Sequence, residues 1–426
     1  MRSLLYFLSL FLFLTGCAPY RPIQRQLRQN PQLTDHVTGF ALYDWEKQKM
    51  VVQHNADQYF TPASNTKLFS FYAGLVTLGD SIPALRYVTR ADSVIFWGTG
   101  NPLLLNPNLP DTTVLHFLRN RPERLFFSTA NYSGPRLGPG WAWDDYNDDY
   151  SAELAPLPLY GNFVRFSSPD RVARLVVEPR FFQDSVTAVS LRRYSRNVQR
   201  NEFDNRFDRP ETMRPFKQDV PFRWSPELAA HLLTDTIHRA VSVANSRFDR
   251  SAQTLYSQPT DSLYKRMLQV SDNTLAEHLM LLCSSVQDTL NSSVGIQTVL
   301  QKQLADLPDK PNWVDGSGLS RYNLFTPRSI VSLLQKIYKI VPQERLFNLL
   351  AVGGSTGTIQ RVYKTDRPFV YAKSGSMTGV YNLSGYLITK KGKLLLFSLM
   401  NNNFPGSVAD MRNRTATFLT EIHERY

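Results

Sequence analysis

Apolar positions along this chain follow two periods. Phe40-Ala41-Leu42-Tyr43 and Met50-Val51-Val52 flank a polar turn at Glu46-Lys47-Gln48, so Gly39 to Asn55 reads as a β-hairpin. Val380 to Thr389 and Leu394 to Met400 flank Lys390-Lys391-Gly392-Lys393 in the same way. Elsewhere the period is helical. Ile330, Val331, Leu334 and Ile337 form a one-sided stripe behind Thr326-Pro327, which predicts a helix to about Val341. Ser225-Pro226-Glu227 opens another with a cap, a proline at the first position and an acid in the first turn. Further helices are expected over 271–283 and about 406–424. A helix over Thr61 to Leu78 is also expected, with Thr61 as cap, Pro62 at the first position and Gly79 as stop.

Between 85 and 224 the pattern changes. Short β-like runs (Ser93 to Trp97, Leu125 to Ser128, Leu175 to Glu178) alternate with Pro, Asn and Asp clusters, and 192–224 is rich in Arg, Asp, Phe and Pro. This stretch reads as a mainly β inserted region. Residues 36–84 and 225–426 are then one domain of α/β (α+β) class. In it, strands from both chain ends share an antiparallel sheet flanked by helices.

The first residues carry Arg2 and then the apolar run Leu4 to Leu14, which reads as a secretory signal too short to span a bilayer. It ends Leu14-Thr15-Gly16-Cys17, similar to the bacterial lipoprotein box. That likeness implies residues 1–17 as a lipoprotein signal, with lipidation at Cys17 and a membrane anchor on the periplasmic side of the envelope. The residue after Cys17 is not Asp, which favours the outer membrane by analogy with sorting rules in some bacteria. Polar residues 18–35 read as a tether.

At 426 residues the chain is long enough for two domains or one with a large insertion. Its net charge of +12 raises the question of an anionic partner. The basic residues are scattered and no nucleic-acid-binding signature is present, so no nucleic-acid partner is expected. A wall polymer suits the charge loosely. Of two cysteines, Cys283 stands in an apolar run and reads as a small buried hydrophobe. Seven histidines show no metal-ligand spacing, so neither metal nor cofactor is expected.

Ser64 and Lys67 lie at i and i+3 and share a helix face. A serine one turn from a lysine is a nucleophile with an amine to take its proton, provided burial or a second cation lowers the lysine pKa from its free value of about 10.4. Two more motifs supply partners. Ser271-Asp272-Asn273 stands at a helix start and Lys373-Ser374-Gly375 at a strand start. Ser271 can relay a proton to a leaving nitrogen. Asn273 can donate to a substrate amide carbonyl or hold Lys67. Lys373 adds positive charge that eases deprotonation of Lys67 and attracts a carboxylate. The strand after Lys373 can pair with an extended peptide. The N–H groups of Ser64 and Ser376 are candidate oxyanion donors.

Three such motifs in this order resemble those of the penicillin-binding proteins and serine β-lactamases. More specifically, the chain from about 38 to 420 resembles the D-Ala-D-Ala carboxypeptidase/endopeptidase family, the class C penicillin-binding proteins. Gly98-Thr99-Gly100-Asn101-Pro102 is similar to the family's Gly-x-Gly-Asp-Pro, with Asn for Asp. Gly140-Trp141-Ala142-Trp143-Asp144-Asp145 resembles its Trp-rich segment, and Asp315 to Arg321, Gly357-Thr358-Ile359 and Leu383 to Tyr386 also match. The separation of 207 positions from Ser64 to Ser271 (271 − 64) suits this family and not the class A β-lactamases.

The resemblance implies a β-lactamase/transpeptidase-like serine hydrolase domain. It implies D-Ala-D-Ala carboxypeptidase activity on peptidoglycan stem peptides, and β-lactams as covalent inhibitors. By the same likeness Ser374, Gly375 and Ser376 replace the family's Thr-Gly-Thr, keeping both hydroxyls. Asp145 and Tyr150 keep the spacing of residues that bind the stem peptide, with Arg321 and Thr378 at neighbouring positions. Asp145 also reads as a turn residue beside two buried tryptophans, and Arg321 as an ion-pair partner of Asp315. A serine β-lactamase and a non-catalytic wall-binding lipoprotein remain as rivals. DD-endopeptidase cleavage is the same chemistry on a cross-linked substrate.

Overall fold

The computed structural model describes residues 20–169, 175–190, 197–211 and 214–426, so the signal and the lipidation site expected at Cys17 lie outside the described residues. Its central sheet has six strands in the order Ala351–Val352, Val370–Met377, Val380–Ile388, Leu394–Asn402, Val37–Asp44, Lys49–His54, each antiparallel to its neighbour. The first strand of the chain therefore docks on the last, with Phe40 opposite Leu399. Side chains alternate between two cores. Phe40, Leu42, Phe397 and Leu399 pack under the C-terminal helix Val408–Arg425, against Phe418 and Leu419. Ala41, Tyr43, Leu396 and Met400 face the helices Lys67–Thr77, Asn273–Ser285 and Pro327–Ile340. Burial on both faces explains why these strands read as near-continuous apolar runs.

The inserted region has its own mixed five-stranded sheet, ordered Val241–Val243, Arg124–Ser128, Ser93–Gly98, Ser81–Arg90, Gln253–Pro259. Two three-stranded sheets lie within it, one of them built on Phe163–Ser168.

Three expectations need correction. The insertion does not end at 224. The helix Pro226–Ile237 is capped by Ser225 as the sequence suggests, yet buries Ala229, Leu232 and Leu233 in the insertion's core. The strands at 241–243 and 253–259 complete its sheet, so 225–259 sits with the insertion. The supposed tether also folds. Helices Arg21–Gln29 and Pro31–Thr34 bury Ile23, Leu27 and Leu33 against the central sheet. A few apolar side chains on one face were enough to dock a segment that is otherwise polar. Finally, Thr61 is not a helix cap. Ala63–Thr66 forms a 3-10 turn entered from Pro62, and the α-helix starts at Lys67.

Candidate active site

The 3-10 turn carries Ser64. Ala63 takes a left-handed backbone (φ 46°), an uncommon state for a residue with a Cβ, and the surrounding packing holds it there. Two glycines make that packing possible. A Cβ on Gly375 would sit 2.8 Å from the Ser64 nitrogen and 2.6 Å from the Pro62 oxygen. One on Gly318 would sit 1.9 Å from the Ala63 oxygen. The strand Val370–Met377 and the 315–320 loop thus clamp the turn from two sides. The buried Asn65 amide ties it to the Lys373 and Asn382 carbonyls at 3.2 and 3.4 Å.

Lys67 is fully buried. Its Nζ lies 2.8 Å from Ser64 Oγ, 2.7 Å from Asn273 Oδ1 and 2.8 Å from the Ser317 carbonyl. All three of its contacts are neutral oxygens. Burial pushes its pKa down to about 8, against the upward pull of Glu277, Asp315 and Asp272. Roughly a tenth is then the free amine at pH 7, against well under a thousandth for an ordinary lysine of pKa about 10.4, and that amine stands within reach of the Ser64 hydroxyl proton.

Lys373 is also fully buried, and donates to Ser271 Oγ at 2.9 Å and to the Ser374 carbonyl at 2.6 Å. Burial first, and the charge of Lys67 second, hold its pKa well below the usual lysine value. Ser271 occupies a left-handed junction (φ 66°) between the helices Thr260–Val270 and Asn273–Ser285. Asp272 caps the second helix by accepting from the Leu275 N–H at 3.1 Å, and it pairs with Arg266. It is therefore engaged structurally. Asn273 fills one of its two expected roles: its oxygen holds Lys67, while its NH₂ donates to the Tyr150 carbonyl at 3.0 Å.

These groups line or underlie a cleft of about 540 Å³. Asp145, Tyr150, Arg321, Ser376 and Thr378 stand on its walls with Ser64. Tyr150 donates to Asp145 at 2.9 Å. Arg321 is exposed and donates to the Thr378 carbonyl at 3.2 Å. It does not pair with Asp315, which instead accepts from the Gly318 and Ser320 N–H groups, Asn323 and Trp141. Asp145 does not stand beside two buried tryptophans either, because Trp143 is 74% exposed. Ser374 is absent from the lining. Its hydroxyl sits 2.6 Å from Thr358 Oγ1, so the pairing expected with substrate is made with the protein. Gly375 serves by close approach to the Ser64 turn.

Sequence reasoning missed Glu277. It is fully buried and accepts the Gly316 and Ser317 N–H groups at 3.0 and 2.7 Å, fixing the residue whose carbonyl holds Lys67. Burial and Asp315 push its pKa up to about 8. The available sign was a lone acid on an otherwise apolar helix, four residues after Asn273.

Known proteins share this arrangement of the chain. D-alanyl-D-alanine carboxypeptidase DacB of Haemophilus influenzae is 23% identical over 422 residues, covering 88% of this chain and 87% of that protein. Penicillin-sensitive carboxypeptidase A of Dictyostelium discoideum is 22% identical over 423 residues, covering 84% and 80%. The crystal structure of penicillin binding protein 4 (dacB) from Haemophilus influenzae has the same fold, with a TM-score of 0.73 at 19% identity over 92% of this chain and 97% of that one. The model of the D-Ala-D-Ala carboxypeptidase 3 (S13) family matches residues 21–422, and the chain belongs to that family.

Proposed function

We propose that this chain cleaves D-Ala-D-Ala termini of peptidoglycan stem peptides through an acyl-enzyme on Ser64. The observation that carries the reading is the buried Lys67 amine, 2.8 Å from Ser64 Oγ and surrounded by neutral oxygens. Ser64 Oγ attacks the carbonyl of the penultimate D-alanine while its proton passes to Lys67. The C–N bond breaks, and the terminal D-alanine leaves as an amine that receives through Ser271 the proton Lys67 had taken. Water then adds to the ester, losing its proton to Lys67; the ester C–O bond breaks, Lys67 returns that proton to Ser64 Oγ, and the shortened peptide departs. Lys373 and Ser376 meet the terminal carboxylate, and the Ser64 and Ser376 N–H groups meet the oxyanion. The Asp145–Tyr150 wall and Arg321 hold the rest of the stem peptide. A cross-linked peptide, whose leaving amine is a side chain, is cut by the same steps.

Penicillins present a strained amide to the same nucleophile and acylate it. The lipoprotein box at Cys17 supports a lipid anchor, with the outer membrane as its site on the periplasmic side. Labelling with a fluorescent penicillin, wild type beside Ser64→Ala, tests the assignment. A stable band lost in the variant is expected. Rapid nitrocefin turnover without a band would make the chain a β-lactamase, and neither signal from folded protein would make it a binding protein. Asp145→Ala should weaken peptides containing diaminopimelate more than simple D-Ala-D-Ala peptides. Equal losses would make Asp145 structural.

A further inference from the structure

Tyr20 stands only three positions after Cys17 and is already part of the folded domain. Its ring stacks on Tyr426 at 5.0 Å and its hydroxyl donates to Asp44 at 2.9 Å. Three residues reach at most about 11 Å. An anchor at Cys17 therefore keeps this face of the domain within reach of the bilayer, with no slack from a tether.

The face is built for that contact. A cavity of about 510 Å³ beside Tyr20 is lined by Lys47, Lys391, Lys393 and Arg425, together with Tyr426. Lys391 and Lys393 make no ion pair among the described residues. Three nearby acids are engaged, Asp44 with Lys47 and Tyr20, Glu424 with Lys390, and Glu421 with Arg425, while Glu46 stands exposed beside Lys47. Clustered lysine and arginine at a membrane surface attract anionic headgroups. An anchor this short gives the headgroups a high effective concentration, so a modest patch suffices.

Strand register fixes where the cleft then lies. Asp44 pairs with Leu395 at the patch end of the sheet. Ser376 pairs with Tyr381, which pairs with Asn401. Six residues of strand separate these levels, about 20 Å. We infer that the Lys47–Lys391–Lys393–Arg425 face docks on anionic phospholipid headgroups and holds the Ser64 cleft at the far end of the sheet, turned towards the wall. The inference rests on the lipid anchor at Cys17.

The test uses the full lipidated chain in vesicles containing phosphatidylglycerol. Fluorophores are placed one at a time at Lys49→Cys beside the patch and at Asp144→Cys beside the cleft; Cys283 is buried. Headgroup-nitroxide lipids should quench the first several-fold more than the second. Reversal by Lys391→Glu, Lys393→Glu and Arg425→Glu together, or vesicles of phosphatidylcholine alone, should erase the difference. Equal quenching at both labels, or a difference unmoved by charge reversal, overturns the docking. Palmitate incorporation in wild type against Cys17→Ser tests the anchor separately. If wild type carries no lipid, the anchor reading fails. Co-sedimentation with phosphatidylglycerol vesicles then decides the face: binding lost on charge reversal supports it, and no binding overturns it.

Discussion

Arg165 in the inserted region and Lys67 in the peptidase core are both buried cations, set in opposite surroundings. Arg165 makes a two-pronged pair with Asp219, at 2.8 and 2.7 Å, and donates to Asn108. That carboxylate raises its pKa further. Lys67 meets a hydroxyl, an amide oxygen and a backbone carbonyl, none of them charged. No carboxylate among the described residues pairs with it, and burial lowers its pKa to about 8. A buried cation with its own carboxylate keeps its proton and fixes structure. One lined by neutral oxygens gives the proton up readily and is available as a base.

The contrast sets out what substitutions should do. Lys67→Ala should slow penicillin acylation by about 10³-fold, the range for losing a positioned base, with the circular dichroism spectrum unchanged. Near-normal acylation would remove the distinction. Arg165→Ala should leave the half-buried Asp219 unpaired, at a cost of about 2–3 kcal/mol in urea unfolding, while the protein that remains folded acylates at the wild-type rate. A catalytic defect there would mean that the insertion takes part in the chemistry.

The dependence on pH is subtler. The free amine of Lys67 is the active form, so acylation should climb with pH through about 8 and then level. Glu277 is the first of the charges that pull Lys67 upward. Glu277→Gln should therefore move the acidic limb to lower pH, by on the order of a few tenths of a unit, because burial keeps much of the Glu277 carboxyl protonated over that limb. A slower rate with an unmoved limb would restrict Glu277 to holding the Gly316–Ser317 backbone.

The two regions also differ in how far the sequence discloses them. The core's hairpins and helix caps rest on local patterns, and Thr326 and the Lys390–Lys393 turn were readable as such. The site motifs were readable because each needs particular residue types at short spacing. The insertion's far boundary was not, because Val241–Val243 joins its sheet by parallel pairing with Arg124–Ser128, more than a hundred residues earlier. No local pattern encodes such a partner. Glu277 and the Ser374–Thr358 contact were hidden for a related reason: their meaning depends on which backbone groups the fold brings beside them. The 18–35 segment misled because its polarity outweighed the few apolar residues that dock it.

Everything above turns on Ser64, activated by Lys67, as the residue that is acylated. Mass spectrometry of a digest made after benzylpenicillin treatment tests it directly. A single penicilloyl group is expected, on the peptide containing Ser64 and absent from Ser64→Ala. An adduct on Ser271 or elsewhere, or an unmodified chain shown to be folded, would contradict it.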